Sequence, residues 1–428
     1  MRSAFAAVLL TALASISVRA DQQAPREVPG QGRLPLGTVL MFSARPSGAP
    51  LIPFICDGSA HLAYELYLTN FSAKRARIAT LDIRGVGGAA FAATLAGEAL
   101  KASFVAVGTG NRVAPTDPVL APGESGVIFV FLNFARARPP QRLANSLAVE
   151  IDGEPKTAQT VTPAALTISS RATAVIDSPL AGDHWQAANG PSNTSIHRRA
   201  VIVLNGSARI PERYAIDWVR LGDDGNTFSG DEHQNSSYHA WNLPVTAAAD
   251  GRIVRAEDGI PENVPHSDKL AIGMTVDNLP GNNVVEEIGP GLFVGYAHFR
   301  PGTVAVKPGD KVHCGQLLGR LGNSGNSTEP HLHLQLCDAP SFLACDGVPM
   351  AFRQMKLARY RIDKHGQTPV RLVTEATRDA PGEEPLEDAL ADFPAAGDSA
   401  QHGGRARDGR STEAQLTPGQ IRRASGRA

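Results

Sequence analysis

In "HLAYELYLTNF", Leu62, Tyr64, Leu66 and Leu68 fall on every second position and would line one face of a strand. "GVIFVFLNF" follows the turn signal "APGES", and "QTVTPAALTI" closes a series of short β-type runs. This spacing predicts an N-terminal immunoglobulin-like β-sandwich over 37–175. "DSPLAGDHWQAANGPSN" reads as a linker by composition, placed at 176–190. A second β-rich region, 191–360, is richer in glycine, and no repeat of solenoid length is seen. The fold class expected is mostly β.

Within the second region, "STEPHLHLQL" alternates again. His331 and His333 share one face, with Leu332 and Leu334 on the other. "LFVGYAHF" carries His298, and "PVTAAADGRIVRAEDG" reads as strand–turn–strand about Asp250-Gly251. "RYAIDWVRLG" sets Asp217 inside an apolar strand, where a carboxylate is costly unless paired, hydrogen-bonded or metal-bound.

Composition narrows the functional classes. The formal charge is −1, so no nucleic-acid partner is expected. Charged residues are 19% against 42 Gly and 31 Pro, which favours turn-rich β structure over a helical bundle. The first residues, "MRSAFAAVLLTALASISVRA", combine an early Arg, a short apolar run and a small-residue end. They predict a signal peptide over 1–20 and export to a periplasmic or extracellular space, with no transmembrane segment. Residues 21–36 read as a flexible lead-in, and 361–428, acidic and then Gly/Arg-rich, as a mostly disordered tail. Of four cysteines, Cys337 and Cys345 bracket a short loop and are the preferred pair. Cys56 and Cys314 are then either free or bonded to each other.

From Arg213 to Leu336 the chain resembles the lysostaphin-type zinc endopeptidases of bacterial cell walls. The shared elements come in order: an Asp in a strand, "PVTAAADGRIV", "YAH", and "VKPGDKVHCGQLLGRLGNSGNSTEPHLH". The resemblance implies a small antiparallel β-domain with its site in a groove and Zn2+ as cofactor. It implies Asp217 and His333 as metal ligands and His298 and His331 as catalytic. A peptide or peptidoglycan substrate follows by the same analogy, with the sandwich free to dock a protein partner.

One position departs. Where that family has a third ligand, a His four residues before the Asp, this chain has Arg213, which cannot ligate a metal. His197 is the candidate substitute. A hairpin turning near Asn205-Gly206 and centred on Ser207 would set it across from Asp217, whereas a one-residue slip would turn it away. His233 and His239 are weaker substitutes, and Arg213 itself could pair with Asp217 or orient a substrate carboxylate. A non-catalytic domain that binds cell wall or regulates a wall hydrolase is the competing reading. "GNSGNST" lacks the Lys of a phosphate loop, and "PGDKVHCGQ" has no modifiable Lys at its tip, leaving His313 idle.

Overall fold

The computed structural model describes residues 42–394, apart from 88–89, 108–116, 135–137, 154–158 and 364–370. The expected signal peptide, the lead-in and the chain after 394 lie outside the described residues.

The N-terminal region forms two sheets whose described strand ladders are antiparallel, with one isolated parallel bridge, Leu51 to Ile168. One centres on Ser59–Asn70 paired with Ser125–Asn133, the other on Ala76–Val86 paired with Arg142–Ile151. Leu62, Tyr64, Leu66 and Leu68 are buried as the alternation predicts, and the Tyr64 hydroxyl donates to Asn145 of the second sheet at 2.7 Å. The opposite face of the same strand is buried too, at His61, Ala63 and Glu65. The reason is a second neighbour. Ala63 and Phe54 pack on Tyr214, and Val127 and Phe129 pack on Ile210, both from the C-terminal region.

The C-terminal region is built on one ten-stranded sheet. Its strands are β1 (Gly182–Ala188), β2 (Ile216–Arg220), β3 (Gly251–Glu257), β4 (Asn282–Gly289), β5 (Leu292–Phe299), β6 (Lys311–Val312), β7 (Leu332–Cys337), β8 (Lys356–Asp363), β9 (Arg371–Asp379) and β10 (Leu390–Phe393). Their order across the sheet is β6-β3-β4-β5-β7-β2-β1-β10-β8-β9. One face carries the core, including Trp185, Ile216, Trp218, Tyr296, Leu332 and Leu334. Period-2 alternation then delivers Asp217, Ala297 and His333 to the other face.

Two expected boundaries are corrected. Residues 176–190 are no linker: β1 sits inside the sheet between β2 and β10, and Ala174–Ile176 pairs in parallel with Met350–Phe352. Polar and glycine-rich composition concealed a strand whose inward residues are only Trp185 and Ala187. A disordered tail does not begin at 361 either: β8 runs to Asp363, β9 and β10 belong to the sheet, and Phe393 packs on Trp218 with ring centroids 5.2 Å apart. Nor do the strands flanking Asp250-Gly251 pair with each other. Pro244–Thr246 pairs with Leu317–Arg320, while β3 pairs with β4 and β6.

Candidate metal centre

Asp217 on β2 and His333 on β7 are direct partners in the antiparallel ladder, so their side chains meet on the same face. His333 Nδ1 lies 2.9 Å from Asp217 Oδ1. His333 Nε2 donates to Gln335 Oε1 at 2.9 Å, and the Gln335 amide nitrogen in turn donates to the Phe342 carbonyl at 3.3 Å. That second bond fixes which way the amide faces. His333 therefore carries a proton on Nε2, and Nδ1 is the nitrogen that faces Asp217.

His197 reaches the same carboxylate from another direction. It sits in a four-residue helical turn, Ile196–Arg199, and not in the hairpin strand the sequence suggested. The hairpin exists about Asn205-Gly206 but is three pairs long, Ile202–Leu204 against Ser207–Arg209. Its register never extends to His197. The His197 Nδ1 donates to the Ala215 carbonyl at 3.3 Å, and Nε2 faces Asp217 Oδ2 at 3.2 Å.

His331, just before β7, donates from Nδ1 to the Glu329 carbonyl at 2.8 Å, and its Nε2 stands 3.3 Å from Asp217 Oδ1. His298 donates from Nδ1 to the Ser324 carbonyl at 2.7 Å. Its ring centroid is 4.8 Å from that of His331. Both imidazoles are thus anchored on backbone carbonyls through one nitrogen, with Nε2 the nitrogen left for chemistry. His298 holds a positive φ of 68°, uncommon outside glycine. A bulge explains it. Between Asn282↔Phe299 and Val284↔Tyr296, β5 has one more residue than β4, and the extra residue turns His298 out of the core alternation.

All five side chains line one cavity of about 140 Å³, which Asn189 and Phe342 also border. Its electrostatics follow from burial against pairing. Burial opposes ionisation of Asp217, but the imidazoles of His197 and His331 outweigh it and hold the carboxyl well below its ordinary range. Burial also disfavours a charged His197, yet Asp217 raises it to about 9. His331 is raised as well, its burial overcome by Asp217. His298 goes the other way: burial, then His331 and His333, hold it well below its ordinary value, so it is neutral.

Several expectations change. Arg213 neither pairs with Asp217 nor faces the cavity. Its guanidinium is buried against Glu65 of the N-terminal region, at 2.9 and 3.1 Å, and it donates to the Gly347 carbonyl at 3.2 Å. His233 bonds to the Pro265 carbonyl and His239 lies against Gly222, both away from the cavity. His313 is exposed beside Asp250. Cys337 and Cys345 are disulfide-bonded, and Cys56 and Cys314 are free thiols. Two residues not singled out in the sequence belong to the site. Gln335 continues the alternation of His331 and His333 and could have been found from it, whereas Asn189, which donates to Asp217 Oδ2 at 2.9 Å, carried no signal.

His197, Asp217 and His333 each offer one ligand atom, all within 4.8 Å of one another. The donor set fits a divalent cation. Two imidazole nitrogens whose other nitrogens are already committed converge with a carboxylate, and such a cluster needs positive charge between its members. A second grouping, Cys56, Asp57 and Glu383, fits poorly, because Arg378 already occupies both carboxylates at 2.7 and 2.6 Å.

Residues 236–341 match the sequence model of peptidase family M23. Solved structures similar to this chain include a catalytic-domain mutant of the prophage-encoded M23 protein EnpA from Enterococcus faecalis, 18% identical over 40% of this chain and 93% of that one, TM-score 0.24. The catalytic domain of the antimicrobial peptidase lysostaphin from Staphylococcus simulans is 23% identical over 39% and 88%, TM-score 0.22. A zinc-containing peptidase from Vibrio cholerae is 15% identical over 48% and 80%, TM-score 0.17. At those scores the overlaps carry no argument; the family match rests on the sequence of the segment that contains His298, His331 and His333. Residues 236–341 are thus similar to peptidase family M23.

Proposed function

We propose that the protein is an exported zinc endopeptidase whose metal is held by His197, Asp217 and His333, with peptides of the cell wall as substrate. The observation that carries the proposal is the convergence of those three ligand atoms within 4.8 Å, in the lining of a cavity that His298 and His331 also line. Zinc bound there supplies a Lewis acid and lowers the pKa of water toward ~7.

The chain's own groups supply the rest. His298, neutral and anchored at Nδ1, accepts a proton at Nε2. His331, anchored the same way, presents Nε2–H to the oxyanion that develops on the scissile carbonyl. Both rings are buried, so these bonds form in a dry setting where they are stronger than in water. Arg213 is fully engaged with Glu65, and the reading therefore assigns it no contact with metal or substrate.

The test is the zinc content of the purified protein after dialysis, beside His197→Ala and His333→Ala. The expected result is about one zinc per chain in the unmodified protein, lost in both variants, with hydrolysis of peptidoglycan abolished in His298→Ala while its zinc is retained. No zinc in the unmodified protein, even after reconstitution, would replace the enzyme with a domain that binds wall or regulates a wall hydrolase.

A further inference from the structure

The three ligand atoms come from two differently supported pieces of chain. Asp217 and His333 stand on adjacent strands of the large sheet, fixed by the ladder. His197 stands on a helical turn of four residues, far too short to be stable by itself. Its neighbours show what holds it. Arg198 is 1% exposed, and its guanidinium is embedded in the N-terminal sandwich. It pairs with Glu65, donates to the Tyr64 carbonyl at 2.9 Å and lies over the Phe129 ring at 5.1 Å. Arg199 donates to the Ala102 carbonyl, and Asn193 donates to the Phe129 carbonyl at 2.9 Å and to Ser103 Oγ at 3.1 Å. By contrast, the His197 ring itself meets the sheet region at the Ala215 carbonyl, at Asp217 and edge-on at the His333 ring, whose centroid is 4.9 Å away.

We propose that Glu65 and Arg198 are positioning residues for the metal centre: the sandwich completes the ligand set by holding the turn that carries His197. The sandwich is then a working part of the peptidase and not an appended docking module. This rests on the ligand set proposed above. Glu65 does double service, since the same carboxylate also receives Arg213 from the residues just before β2. It therefore ties the turn bearing His197 and the strand bearing Asp217 to one point on the sandwich.

The experiment uses the full chain and two readouts that a merely structural role would not move. One is zinc affinity by chelator competition; the other is the visible spectrum of the Co2+-substituted protein. Arg198→Met removes the pairing while Arg213 still neutralises Glu65. The expected result is a zinc affinity lower by roughly 10–100-fold, the range for lost support of a ligand, and a cobalt spectrum moved toward that of His197→Ala. Arg198→Lys recovers part of the affinity. If Arg198→Met does not fold, Asn193→Ala carries the test, with a several-fold loss of zinc affinity expected. Folded variants with the unmodified protein's affinity and spectrum would overturn the positioning role alone. Absence of metal from the unmodified protein would instead overturn the functional reading beneath it.

Discussion

Gln335 governs which nitrogen of His333 faces Asp217. Its Oε1 accepts from His333 Nε2, and its own amide nitrogen donates to the Phe342 carbonyl, so Nδ1 is the nitrogen left facing Asp217. Gln335→Met keeps the volume and removes both bonds. The expected outcome is a zinc affinity about 10–100-fold weaker at unchanged 1:1 stoichiometry, read by chelator competition. An unchanged affinity would mean that packing alone fixes the ring. The histidine pair was legible in "HLHLQL" because a period of two is a local rule, and that rule also reached Gln335. Asn189 was not legible, because its contact with Asp217 depends on a positive φ of 50° at the end of β1, which no pattern announces.

At the level of elements, the cavity depends on two loops that cross at van der Waals limits. Gly281 and Gly325 face each other there, both at positive φ, and a Cβ on Gly325 would stand 2.3 Å from the Gly281 nitrogen. The crossing matters because Ser324 and Pro280 supply the carbonyls that receive the His298 ring and backbone N–H. Gly325→Ala is expected to cost about 2–4 kcal/mol of stability from overpacking and unfavourable φ, seen as a lowered thermal midpoint. Hydrolysis by the fraction that remains folded should fall as well, since His298 loses its anchor. Full specific activity in that fraction would show that the crossing serves only stability.

The same scale explains what the sequence left unread. A one-residue bulge in β5 is invisible to alternation, although it is what turns His298 into the cavity. His197 does not reach Asp217 through ladder register, because the three pairs end at Ile202, five residues short of it, and the ring arrives from a helical turn instead. Strand β1 was hidden by its own composition, with glycine and polar residues around two buried apolar ones.

For the whole molecule, the governing feature is the seam between the N-terminal sheets and the large sheet. Alternation identified Leu62, Tyr64, Leu66 and Leu68 as one buried face, but it gave no reason for Glu65, on the other face, to be fully buried. The reason is non-local: Arg198 and Arg213 come from positions far along the chain and share that carboxylate. Burial alone would raise the Glu65 pKa, yet the two guanidinium groups outweigh it and bring it from 4.5 down to about 2. A carboxylate depressed in the folded state contributes stability above its unfolded pKa and loses it as the pH falls through the folded value. The shift corresponds to on the order of 3 kcal/mol, present above about pH 4.5 and gone near pH 2. Glu65→Gln leaves two buried cations without their partner, so at pH 7 the variant should unfold at a lower urea concentration than the unmodified protein. As the pH is lowered from 4.5 toward 2, the gap between them should close, because the unmodified protein loses what the variant never had. A gap that stays constant across that window would mean that Glu65 is not the charge that locks the seam.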